Sequence, residues 1–114
     1  MTLDIFLIRL NSEPLNIEFE ETINIIDACY HYTPTAFTNG DLYNQAGSNE
    51  GSCKILAFAQ LNGLTEAQTL ACFGAYYRDD VLANPDGSDH ANIRNFIRHG
   101  WPGVSFENTP LVLK

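Results

Sequence analysis

Cys53 and His90 are the residues here with the widest chemical reach, because a thiol and an imidazole suffice for covalent catalysis. The thiol opens an apolar run and precedes Lys54, and a helix start and an ammonium group would both favour the thiolate. His90 would serve as base, with Asn92 or Asp89 orienting its ring. Such constellations are defined by geometry, not by order along a chain. A thiol heading so apolar a segment suits a core better than solvent, so the inert reading is preferred and no catalytic residue is assigned. The rival is a small cysteine-dependent hydrolase or transferase using Cys53, His90 and Asn92.

The run Gly47-Ser48-Asn49-Glu50-Gly51-Ser52-Cys53-Lys54 resembles a phosphate loop only superficially. Its glycines are one residue too close, no Lys follows the second glycine, and Glu50 would repel phosphate. A loop capping the following helix is the simpler expectation. Asp79, Asp80, Asn84, Asp86 and Asp89 invite a calcium reading. Placing Gly87 sixth in a calcium loop puts Leu82 first and Ile93 twelfth, where oxygen ligands are required. His90 and His99 fall on opposite faces of a helix, so no metal site is expected. Tyr76, Arg78, Asp89, His90 and Arg94, with Lys54, remain as groups that could recognise a partner, since each arginine can grip a carboxylate through two hydrogen bonds. The simpler use of Arg94 is an internal lock against Asp79 or Asp80. Trp101 before Pro102-Gly103 is expected to plug the edge of a small core.

These residues need helices to hold them. Leu3, Phe6, Leu7 and Leu10 share one helix face, and the pattern ends at Asn11-Ser12 and Pro14. Phe19, Ile23, Ile26 and Tyr30 predict a second helix over 19–32, ended by Thr33-Pro34. Asn39-Gly40 predicts a hairpin in which Thr38 faces Asp41, Phe37 faces Leu42 and Ala36 faces Tyr43. Residues 53–61 are apolar nearly all round and are expected at the centre of the fold. Thr65 and Gln68 form a capping box for a helix over 66–83, with Leu70, Phe73, Tyr77 and Val81 inward and Gly74 at a close helix contact. Ser88 is expected to cap a last helix to His99, with Ile93, Phe96 and Ile97 inward and Gly100 as its stop. Short strands are expected at 104–106 and 111–113. The sum is a mainly α domain with a small β-hairpin (α+β), compact around the helix at 53–61, and one domain over 1–114.

Charge narrows the partners. The 114 residues carry 14 acidic and 6 basic side chains, a net charge of -8, with 45% apolar residues. Between Arg9 and Lys54 the only charged groups are seven carboxylates. Nucleic acid and anionic lipid would be repelled there, so neither is expected, whereas a basic protein is compatible. No apolar stretch approaches the roughly 18 residues of a membrane span. Cys29, Cys53 and Cys72, an odd number without CxxC spacing, suit buried thiols in a reducing cytoplasm. The start of the chain has Asp4 and no basic segment, unlike an export signal.

A series of ordered matches goes further. It runs through Ile26-Asp27, Tyr30, Tyr32, Thr33-Pro34-Thr35-Ala36-Phe37, Asn39-Gly40, Asn44, Ala46-Gly47 and Gly51-Ser52-Cys53-Lys54. It continues through Phe58-Ala59, Phe73-Gly74, Tyr76-Tyr77-Arg78, Asp80-Val81-Leu82, Asp89-His90, Asn92-Ile93-Arg94 and Gly100-Trp101. In these the chain resembles the HopJ type III effector family over nearly its whole length. The resemblance implies a small bacterial protein, grouped with effectors that plant pathogens inject into host cells. It implies no cofactor and no catalytic or binding residue to carry over. Type III cargo usually begins with a mobile, Ser-rich segment, whereas Leu3, Phe6, Leu7 and Leu10 look committed to the core. Residence in the bacterial cytoplasm, with a housekeeping role, is therefore the alternative to secretion.

Overall fold

The computed structural model describes residues 2–114 as five α-helices and five short strands. Helix α1 (Leu3–Ser12) starts where Thr2 Oγ1 accepts from Ile5 N at 3.2 Å, and it buries Phe6 and Leu10. A 3-10 turn (Pro14–Asn16) leads to α2 (Phe19–Cys29), which buries Thr22, Ile25 and Ile26. Arg9 pairs with Glu21 and so joins α1 to α2.

Helix α2 ends earlier than its apolar stripe implies. Tyr30–Tyr32 is extended and forms strand β1, antiparallel to β5 (Leu111–Leu113), with Tyr30 opposite Leu113. Aromatic residues fit a half-buried pleat as well as a helix, and Pro34 already disfavours helix nearby. Tyr30 then meets Phe58 edge-on, centroids 6.0 Å apart.

The second sheet has the order β3-β2-β4, from Leu42–Asn44, Phe37–Asn39 and Val104–Phe106. The hairpin exists, but its turn lies one residue later and each partner two residues later than expected: Asn39 faces Leu42, Thr38 faces Tyr43, and Phe37 faces Asn44. The turn is therefore Gly40-Asp41, with positive φ (64°) at glycine alone, as in a type II′ turn. The cause is Asn39, which is fully buried and donates to the main chain of Asn92, so it must point inward with Phe37.

Helix α3 (Glu50–Leu61) lies at the centre, with Ile55, Leu56, Phe58 and Ala59 wholly buried. It begins at Glu50, three residues before Cys53. Helix α4 (Glu66–Ala71) has the Thr65/Gln68 capping box but stops well short of residue 83. Gly74 adopts φ 62°, and a Cβ there would lie 2.6 Å from Phe19 N. That close contact needs glycine and breaks the helix. Beyond it the chain resumes as a π-helical turn (Tyr76–Val81), with Leu82 N bonded to Tyr77 O. Helix α5 (Ala91–His99) begins after a left-handed His90 instead of at Ser88. Its first turns are buried all round, from Asn92 to Phe96, whereas Ile97 is 48% exposed, contrary to the expected stripe. Gly100 ends it, followed by a 3-10 turn (Trp101–Gly103). Trp101 packs edge-on to Phe96 and donates from Nε1 to Leu64 O at 3.2 Å.

Candidate functional site: a cleft between two helix starts

The starts of α3 and α5 open on one cleft of about 440 Å³. Asn49, Gly51 and Ser52 come from the first, and His90, Ala91, Asn92 and Ile93 from the second; Phe19, Phe73 and Tyr76 supply apolar walls. Both helices start in the same unusual way. Asn49 (φ 52°, ψ 48°) and His90 (φ 51°, ψ 50°) are left-handed, a region costly for residues with a Cβ. Neither side chain caps its own helix. Asn49 Nδ2 instead donates to Asn44 Oδ1 at 2.7 Å, and His90 Nε2 lies 3.0 Å from Asp80 Oδ2. The first N–H groups of a helix have no partner within it. Those of Gly51, Ser52, Ala91, Asn92 and Ile93 find no acceptor among the described residues.

An asparagine network fixes the two helix starts to each other. Asn92 Nδ2 donates to Asn44 Oδ1 at 2.9 Å, and its own Oδ1 accepts from Asn44 and Asn39 at 3.2 and 3.1 Å. Asn44 thus accepts from residues at both helix starts. Asn95 Nδ2 adds bonds to Asn39 O and Asp41 Oδ1, each at 3.0 Å. These bonds satisfy most of the buried amide groups, while Asn39 Oδ1 has no hydrogen-bond partner among the described residues. Asn39, Asn44 and Asn95 were missed in the sequence because no periodic pattern marks them; their signal was repeated asparagine at turns and helix starts.

The other sequence-derived candidates disperse. Cys53 is 1% exposed, and its sulfur sits 3.8 Å from Thr35 O. Burial pushes its thiol pKa up, which disfavours a thiolate. Its N–H is bonded to Asn49 O, so it is not among the free donors of the helix start. His90 makes no hydrogen bond with Cys53; its ring is held by Asp80 and stacks at 5.1 Å on Tyr76. Asn92 belongs to the amide network, and Asp89 Oδ2 lies farther from His90, at 3.7 Å. Lys54 pairs with Asp27 at 2.9 Å and covers the Tyr32 ring. Arg78 donates to Ile17 O at 2.6 Å and approaches Glu18.

Arg94 is a lock, but not against Asp79 or Asp80. Its guanidinium grips Asp89 Oδ1 and Asp89 O, both at 2.6 Å, and Asn84 O at 2.8 Å, so it clasps the loop before α5. That pairing holds the Asp89 carboxyl below its ordinary range. Tyr76, His90 and Asn92 are thus brought together, while Cys53, Lys54, Arg78, Asp89 and Arg94 serve other contacts. Among the described residues no group of three or more His, Cys, Asp or Glu is placed to hold a metal ion. None of their helices is long and apolar enough to cross a membrane.

Comparison with known proteins places this geometry. A crystal structure of VPA0580, a protein of unknown function, superposes with a TM-score of 0.98 at 53% identity, over 100% of this chain and 95% of that one. No curated protein matches. The HopJ type III effector protein family model matches residues 3–111. The chain belongs to the HopJ type III effector protein family.

Proposed function

We propose that the protein is a HopJ-type effector that acts by binding a basic protein, without catalysis. The observation that carries this reading is how its few cations are used. Arg9, Lys54, Arg78 and Arg94 are each paired with a carboxylate of the same molecule, and Lys114 donates to Asp27 O. Asp4, Glu20, Asp79, Asp86 and Glu107 are exposed, and their side chains make no ion pair among the described residues. The negative exterior is therefore largely uncompensated, which steers basic partners and repels polyanions. Burial of Cys53 speaks against the thiol-enzyme rival.

Capture from bacterial and host lysates at low and high salt tests the reading. A partner retained at low salt and released at high salt is expected; no partner, or capture indifferent to salt, would refute it. The rival reading is a resident bacterial protein that is not secreted. A reporter fused at the carboxyl end decides between them by leaving the cell or staying.

A further inference from the structure

We propose that the groove beside Phe19 and Tyr76 takes an arginine side chain of the partner, its guanidinium against the rings and its charge on Glu18 and Glu20. The proposal rests on the reading of a basic protein partner and names the group by which that partner is held. The groove has a volume of about 220 Å³ and is lined by Glu18, Phe19, Glu20, Ala75 and Tyr76. It shares Phe19 and Tyr76 with the larger cleft, so this ring pair borders both.

The rings supply the apolar half. Tyr76 is held between Phe19, edge-on, and His90, with ring centroids 5.1 Å away in each case. It is nevertheless 40% exposed. A ring fixed by its neighbours and still open to solvent is a platform for a cation, which the negative face of an aromatic attracts.

The charge of the groove has the matching sign. Glu20 is exposed and makes no ion pair among the described residues. Glu18 is 56% exposed, and Arg78 approaches it only to 3.5 Å because that guanidinium is spent on Ile17 O at 2.6 Å. The start of α2 is closed by the Glu18/Glu21 capping box, so its N–H groups do not call for an anion. Asp80, bonded to the His90 ring that lies against Tyr76, adds a third carboxylate to the surroundings. Rings and carboxylates together select guanidinium over ammonium, because a flat cation can rest on an aromatic ring and still point two N–H groups at a carboxylate.

The test is a titration of the full chain, followed through its backbone amide resonances, with blocked Gly-Xaa-Gly tripeptides in which the central residue is arginine, lysine or citrulline. The arginine peptide should move the amides of Phe19, Glu20, Ala75 and Tyr76 saturably. Lysine, which has charge without a plane, should bind about threefold more weakly. Citrulline, which has the plane without the charge, should bind about tenfold more weakly. Tyr76→Leu and Glu20→Gln should each weaken the arginine peptide by about threefold, whereas Glu107→Gln, on the loop after β4, should leave it unchanged. Four results would overturn the proposal: no saturable shift by about 10 mM, where a site of ~1 mM affinity would be roughly nine tenths filled; lysine or citrulline equal to arginine; both groove variants equal to the wild type; or Glu107→Gln as damaging as Glu20→Gln. Amides outside the groove report whether each variant keeps the fold. Lysate capture separates this site from the reading beneath it. Salt-sensitive capture undiminished in Tyr76→Leu removes the site and leaves the basic partner standing. Absence of any captured partner removes that reading, and the tripeptides still decide whether the groove holds arginine.

Discussion

Asn92 is 5% exposed, and both ends of its amide are hydrogen-bonded. Asn92→Ala would empty the position and leave part of the Asn39 and Asn44 amides unpaired, costing about 2 kcal/mol in chemical denaturation. Asn92→Asp is expected to be worse near neutral pH, because a second acceptor would face Asn44 Oδ1. Its deficit should shrink on acidification, as the buried carboxyl takes up a proton. The thiols give a second residue-scale expectation. Burial pushes Cys72 up to about 12 and raises Cys53 as well. In the unfolded chain both ionise near pH 8.5. With folded values above unfolded ones, their contribution to stability is complete below about pH 8.5 and is lost as pH rises toward 12. Iodoacetamide at pH 8 should label Cys29, which is partly exposed, and reach Cys53 and Cys72 only when the protein unfolds. Rapid native labelling of Cys53 would revive the enzyme rival. Cys53 was legible as a core residue from its apolar neighbours. The partner of His90 was not, because Asp80 reaches it from a turn whose geometry the apolar stripe does not encode.

At the scale of elements, sequence periodicity succeeded where one packing demand governs and failed where two compete. Helix α1, the Thr65/Gln68 box, the end of the central helix and both late strands lie where pattern and capping chemistry put them. The stripe Leu70, Phe73, Tyr77 and Val81 is continuous in sequence yet crosses a break, because Gly74 must pass close to Phe19. The π-helical turn after it holds about one more residue per turn than an α-helix, which changes where Tyr76, Arg78 and Asp80 point. Gly74→Ala combines a costly left-handed φ with a backbone clash and should destabilise by about 3 kcal/mol, read as a lowered denaturation midpoint. The hairpin is the other instance. Asn-Gly is a strong turn signal, but the demand of Asn39 for a partner on α5 outweighed it and slid the turn by one residue. Arg94→Met should free the 84–89 loop, since the carbonyls of Asn84 and Asp89 lose their donor. The expected readout is faster amide exchange there, with the core little changed.

For the whole molecule, the candidate cleft was legible only in fragments. Tyr76, His90 and Asn92 were picked out, but Phe19 and Phe73 passed as ordinary core positions, and Ser52 as part of a loop. Long-range assembly joined them, and chain spacing carries little information about it. Charge was readable at once, because it depends on composition, and the fold sharpens it by consuming most cations internally. The proposed binding of a basic protein depends on an uncompensated negative surface. The most direct measurement compares partner capture by the wild type with that of a variant carrying Asp4→Asn, Glu20→Gln, Asp79→Asn and Asp86→Asn. None of these four breaks an ion pair within the described residues. At equal low salt the neutralised protein, with an unchanged melting temperature, should retain far less partner than the wild type. Undiminished capture by it would contradict the account.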